Sequence, residues 1–255
     1  FGSVRSLLLA VDLVSIGDEH QKILRQSVGD AVGLNVEDIV VSASHSHSTP
    51  FCEPLERPHP FFDLIIRQSV AAAQTAVQAQ RSALFGHATV HVVGASFNTR
   101  VPMPDGGVKF SRDYREGLAS GRPIDPRLTV VRIDDDQRCP IAGWIGFAAH
   151  PACVIFDTPI SAEYPGYLTD RLTAQVDGNP PFLFGLGACG DVNCIPMFGA
   201  ESDSQQLGHH LADGGLLLKI PPMFHCQVSQ ARAGLENIGN DLLDRATSLS
   251  DQLGQ

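Results

Sequence analysis

Short apolar runs alternate with amphipathic stretches along the first part of the chain, and the two spacings separate strands from helices. Residues 6–13 form a continuous apolar run around Leu7, Leu8, Leu9 and Val11, which predicts a buried strand. Asp18 stands where a helix cap is needed, and Ile23, Leu24, Val28, Ala31 and Val32 then recur at helical spacing. Gly33 is a good stop for that helix, because glycine takes the left-handed conformation at the least cost. Residues 38–43 predict a second strand that leads to His45. Strand, helix and strand in so short a span form a βαβ unit, whose two strands run parallel.

A proline-rich loop covers residues 50–60, and residues 61–80 follow as an amphipathic helix with Leu64, Ile65, Val70, Ala73 and Val77 on one face. Residues 88–93 alternate as a strand does. Residues 97–126 are polar and rich in Gly, Pro and Arg, which predicts a long functional loop. Residues 128–134 and 141–149 predict two strands joined by a hairpin turn at Asp135-Asp136-Gln137-Arg138. Residues 164–176 read as a helix with Pro165 in its first turn, where a missing N–H costs nothing. A further apolar strand at residues 181–186 leads into a glycine-rich turn, and residues 204–218 and 227–253 read as helices on either side of Pro221-Pro222. The expected class is α/β, with a mixed, largely parallel sheet flanked by helices and a site at the strand ends.

Composition narrows the picture. The chain has 255 residues, of which 43% are hydrophobic and 18% charged, enough for one large domain with its own core. The net charge of -10 argues against nucleic acid or an anionic membrane surface as a partner, since both need clustered Lys and Arg. No run reaches the roughly 20 apolar residues of a membrane-spanning helix. The sequence opens on Phe1 with no signal-peptide pattern after it, so a processed or truncated end is expected. Six cysteines would allow three disulfides, but no CxxC pair occurs, and reduced buried thiols are the expectation for a chain of this size. Secreted or periplasmic and cytoplasmic locations both remain open.

Several segments carry candidate chemistry. His45-Ser46-His47 lies where a strand ends and a polar loop begins. Residues two apart in an extended segment point the same way, so both imidazoles can face one pocket. One can bind a metal while the other handles a proton, although a pair of hydrogen-bonded surface histidines fits the spacing equally well. His150 ends another strand and is followed by Pro151. Arg100, after Phe97-Asn98-Thr99, could bind a carboxylate or a developing oxyanion. Glu163, in Ser161-Ala162-Glu163-Tyr164-Pro165-Gly166, could sit at a helix N-terminus or orient a histidine. Gly187-Ala188-Cys189-Gly190-Asp191-Val192-Asn193 is a turn that lets backbone approach a ligand, without the Lys of a phosphate loop.

Taken in order, these segments resemble the N-terminal domain of the neutral/alkaline, non-lysosomal ceramidases, and more closely the shorter bacterial ceramidase-like proteins. The matching pieces run from Val41-Ser42-Ala43-Ser44-His45-Ser46-His47-Ser48 through Asn98-Thr99-Arg100, Pro123-Ile124-Asp125-Pro126 and Phe147-Ala148-Ala149-His150-Pro151 to the Glu163 and Asp191 segments. The resemblance suggests a ceramidase-like α/β domain over residues 1–222, and the amphipathic pattern makes residues 223–255 a C-terminal helical segment. It implies a zinc-dependent hydrolase of a small-molecule or lipid amide. His45 and His150 would be Zn2+ ligands, His47 the general base or a water-orienting group, and Arg100 the oxyanion donor. The family completes its zinc site with a Glu and a Tyr from further along, and no matching segment follows Leu218. Glu163 and Tyr164 are the nearest local substitutes, and Asp191 is the remaining carboxylate of the site. Two protein ligands are one short of the three typical of catalytic zinc. The turn also departs from true ceramidases, which carry Ser where this chain has Asn193, a change that weighs against ceramide more than against hydrolysis. Two other readings stay open. Cys189 or Cys194 could be the nucleophile of a cysteine amidase. The chain could also be a non-catalytic ligand-binding relative with an incomplete metal site.

Overall fold

The first apolar run and the helix after it form where their spacing predicts them. In the computed structural model, which describes residues 5–50, 60–154, 160–218, 220 and 224–228, β1 (Leu7–Val11) pairs in parallel with β2 (Ile39–Ala43) across α1 (Asp18–Val32). Gly33 closes α1 at φ 67° and donates its N–H to the Gly29 carbonyl. Asp18 is not the cap. Gly17 holds that position without a side-chain bond, and Asp18 and Glu19 instead lie in the first turn, where the helix dipole favours their charge. The helix α2 (Pro60–Gln78) packs on α1, and Phe62, Leu64 and Ile65 meet Leu9, Leu24 and Val28 in one core cluster.

The second core lies on a five-stranded sheet. The next elements are β3 (Arg81–His91), β4 (Ser96–Asn98), β5 (Arg100–Pro102), β6 (Val108–Phe110) and α3 (Tyr114–Ala119). They are followed by β7 (Arg127–Asp134), β8 (Pro140–Phe147), α4 (Glu163–Gln175), β9 (Phe182–Leu186), β10 (Val192–Cys194), α5 (Glu201–Leu216) and β11 (Phe224–Val228). The sheet order is β11-β3-β7-β8-β9. Leu128, Val130, Ile145 and Phe147 alternate onto one face, where Leu168 and Leu172 of α4 and Leu207 and Leu211 of α5 cover them. Each such side chain contributes about 1.5–3 kcal/mol on burial. The edge of this layer at β9 lies against β1 and β2.

The sheet is mixed, but it is not largely parallel as the apolar runs suggested. Its β11–β3, β3–β7 and β7–β8 pairs are antiparallel, and only β8–β9 is parallel. A tight hairpin makes β7 and β8 antiparallel, while the crossover through α4 brings β9 back parallel to β8; the longer connections before β7 and β11 lead to antiparallel neighbours. The hairpin predicted at residues 135–138 is present: Asp135 donates its N–H to the Cys139 carbonyl, and Arg138 takes φ 68°. β3 begins at Arg81, well before the alternating stretch at residues 88–93, because two neighbouring strands supply its ladder whatever its pattern. The expected loop at residues 97–126 contains the β5–β6 hairpin and α3, elements too short to register as periodic. Residues 224–228, read in part as the start of a helix, form the edge strand β11. The remainder of that predicted helix, and nearly all of the proline-rich loop, lie outside the described residues. No described helix is long and apolar enough to cross a membrane.

Candidate metal centre

Four connections converge beside the junction of β2, β8 and β9, and backbone hydrogen bonds tie them together. The segment after β2 is held by Ser44 and His45, whose N–H groups donate to the carbonyls of Val11 and Leu13. The segment after β8 pairs with the strand after β9: the His150 N–H donates to the Val192 carbonyl, and His150 bridges Asn193. The turn between β9 and β10 lies close to the exit of β8. A Cβ on Gly187 would sit 2.8 Å from the Ala148 Cβ, so only glycine permits that approach. β10 pairs with β4, which brings in Asn98-Thr99-Arg100.

His45 leaves β2 at φ 65°, a left-handed conformation that an ordinary side chain adopts only at a cost, and that collects at functional sites. Its Nδ1 bonds the Val14 carbonyl. The His150 Nδ1 bonds the Val192 carbonyl at 3.1 Å. A carbonyl only accepts, so each Nδ1 carries a proton, and Nε2 is the nitrogen that each ring has left to offer a metal. The two ring centroids are 4.8 Å apart, and the His47 ring stands 4.9 Å from His45 and 5.7 Å from His150.

No carboxylate joins these rings among the described residues; the third group of the cluster is a thiol. His45, His150 and Cys189 each present one ligand atom, all within 4.8 Å of one another. Tetrahedral zinc with bonds of about 2.0–2.3 Å would hold such atoms roughly 3.3–3.6 Å apart. The trio therefore needs to draw in by no more than about 1.5 Å, within reach of small side-chain rotations. Two imidazoles and a sulfur suit zinc. The residues present fit that ion.

The electrostatics follow from burial and from the crowding of like groups. Burial, with His45 and His150 beside it, pushes His47 down to about 4, and its Nε2 is buried without a hydrogen-bond partner among the described residues. Burial also lowers His150, with the Val192 and Cys189 carbonyls opposing and His45 and Arg100 adding to the shift. Arg100 is thus close enough to act on the cluster. Its guanidinium stacks over Phe110 at 5.2 Å and has no ion pair among the described residues. Burial pushes the Cys189 thiol up to about 11.

The other sequence-predicted residues support the site from behind. Glu163 is 1% exposed, at φ 51°. One of its oxygens accepts from the His47 N–H at 2.9 Å, the other from the Val154 N–H at 3.1 Å. It faces backbone, and burial lifts it to about 7 against those donors. Tyr164 is fully buried, and its hydroxyl donates to the Ala149 carbonyl at 2.7 Å, next to His150. Neither belongs to the ligand trio. Asp191 accepts from the Asn98 amide at 2.8 Å, and its carbonyl accepts from the Thr99 N–H, which fixes the turn that presents Arg100.

Solved structures that share this fold include two ceramidases. One is titled a ceramidase complexed with C2; it aligns with a TM-score of 0.59 at 17% identity over 82% of this chain. The other is the neutral ceramidase from Pseudomonas aeruginosa, with a TM-score of 0.58 at 16% identity, again over 82% of this chain. This chain spans only 35% and 36% of those proteins, about a third of their length. No family model and no curated protein matches the sequence. The likeness at this identity is one of fold. Cys189 is the residue that sequence reasoning left out of the metal set. Its only signal was its place in a glycine-rich turn directly after a buried strand.

Proposed function

We propose that this chain carries the metal-binding part of a zinc-dependent hydrolase that cleaves an amide (N-acyl) bond. The observation that carries this reading is the convergence of the His45 and His150 rings, each locked by a carbonyl on its Nδ1. Held there, zinc supplies polarisation of an amide carbonyl and acidification of water. Every other role falls to the chain. His47, a neutral ring with an unpartnered Nε2, accepts a hydrogen bond from water and turns it toward the carbonyl carbon. So weak a base orients water better than it holds a proton, and orientation is the role this reading gives it. Arg100 offers donors to the oxygen on which negative charge develops. Asp191, Glu163 and Tyr164 position the segments that carry these groups and touch no substrate. Water adds to the carbonyl carbon, the C–N bond breaks, and a carboxylate and an amine leave. The substrate class is a small-molecule or lipid amide, to which the names of the two similar structures lend support.

The cysteine-nucleophile reading is weaker. Cys194 is sealed in the core with its sulfur 3.3 Å from that of Cys153, out of reach of a substrate. Cys189 has a thiol pushed up rather than down, the opposite of an activated nucleophile.

A panel of N-acyl amides with short and long acyl chains, assayed for amine release, tests the proposal. Turnover should vanish with a chelator and return with zinc, and Arg100→Ala should lower kcat about a hundredfold with little change in KM. Turnover that survives the chelator but not thiol alkylation would favour the cysteine amidase. Stoichiometric zinc without turnover of any amide would favour a binding protein.

A further inference from the structure

The two histidines supply one ligand fewer than catalytic zinc usually takes from its protein. We propose that Cys189 supplies the third, binding as a thiolate, so that this chain holds zinc in a His2Cys set built from the exits of three different strands. The inference rests on the zinc reading above and extends it.

Three observations carry it. The Cys189 ligand atom lies with those of His45 and His150 inside one 4.8 Å cluster, and among the described residues this is the only group of three His, Cys, Asp or Glu side chains that could hold an ion. The fold brings it there by a specific route. β9 runs parallel to β8, so both strands leave the sheet at the same end, and the Gly187 approach to Ala148 brings the two exits together. The turn that follows is closed by the Val192 N–H on the Cys189 carbonyl, while the Val192 carbonyl holds the His150 ring. One strand start thus sets both ligands. The third observation is a contrast among the cysteines. Cys153 and Cys194 face each other in the core, and Cys139 is exposed on the hairpin, whereas Cys189 alone of the four described thiols stands beside imidazoles.

The carboxylates that might have served instead are committed elsewhere. Glu163 spends both oxygens on backbone N–H groups, and Asp191 is bonded to Asn98. A sulfur ligand has consequences that nitrogen and oxygen ligands lack. It gives a cobalt-substituted site a thiolate charge-transfer absorption, and it makes the bound metal a shield for one particular cysteine.

The test uses the full chain, stripped of metal and titrated with cobalt(II) or zinc(II) alone. Wild type should take up one cobalt with a near-ultraviolet thiolate band, Cys139→Ser should keep that band, and Cys189→Ser should lose it. Removing an outer-shell partner alone weakens metal sites by about 10–100-fold, so Cys189→Ser should weaken zinc by more than about a hundredfold. A readout without mutation guards against a variant that fails to fold. In wild type, zinc should slow iodoacetamide labelling of Cys189, read by peptide mass, and leave Cys139 labelling unchanged. Stoichiometric cobalt without the band, or zinc that leaves Cys189 labelling unaltered, would overturn the sulfur ligand while the zinc reading stood. A wild-type chain that binds neither metal would bring down both.

Discussion

His45 and His150 follow two strands of the same molecule, stand with ring centroids 4.8 Å apart, and are held there by different means. His45 leaves a two-stranded ribbon at φ 65°, and its ring leans on the Val14 carbonyl. His150 leaves the five-stranded sheet in ordinary backbone, bridged to Asn193, with Tyr164 fastened to the residue before it. The first exit is a strained turn and the second an extension of a sheet. They share Glu163, which accepts from His47 on one side and Val154 on the other. The two exits are therefore joined twice, by the His47 N–H on the Pro151 carbonyl at 3.1 Å and by a carboxylate that touches neither histidine ring.

Removing that shared support has the largest expected effect. Glu163→Ala leaves the Val154 N–H without its partner and the His47 N–H with only the Pro151 carbonyl, and should cost about 4 kcal/mol in urea unfolding, at roughly 1–3 kcal/mol for the orphaned donor plus a cavity. Zinc affinity should fall with it, since one of the two ties between the exits is lost. A stability change under about 1 kcal/mol would mean that the exits stand independently.

A slightly smaller effect follows from the ionisation of the same group. Burial lifts Glu163 from 4.5 to about 7, so the folded chain holds this proton more tightly than the unfolded chain does. The stability it contributes is complete below about 4.5 and is lost as pH rises through about 7, a span worth about 3 kcal/mol. Wild type should therefore lose stability relative to Glu163→Gln between pH 5 and pH 8 in calorimetry of the metal-free chain. Parallel curves would remove the buried charge from the account.

The smallest effect separates the exits themselves. At position 45 the left-handed backbone favours glycine, so His45→Gly should be more stable than His45→Ala by about 1 kcal/mol. At position 150 the order should reverse, alanine exceeding glycine by about 0.5–1 kcal/mol. The same order at both positions would erase the distinction between a strained exit and a relaxed one.

The sequence makes the two histidines legible because each follows an apolar run, and a strand end is where a polar group meets a pocket. It also marks α1 almost residue for residue, since its apolar spacing and Gly33 are local signals. Sheet direction is not local. The runs at residues 141–149 and 181–186 look alike, yet β8 pairs antiparallel with β7 and parallel with β9, and only the connections decide which. Cys189 is hidden for the same reason. Its distance from His150 depends on β8 and β9 lying side by side, which no spacing along the chain encodes. Glu163 and Tyr164 stand out as site residues, but their roles depend on which way they point. The carboxylate faces backbone N–H groups and the hydroxyl faces a carbonyl.

The claim that binds these observations is that His45 and His150 hold a metal ion. Elemental analysis of the purified full-length chain beside its His45→Ala variant tests it most directly. The account predicts one zinc per chain in wild type and none held stoichiometrically by a variant that remains folded. Equal metal content in the two proteins would contradict it.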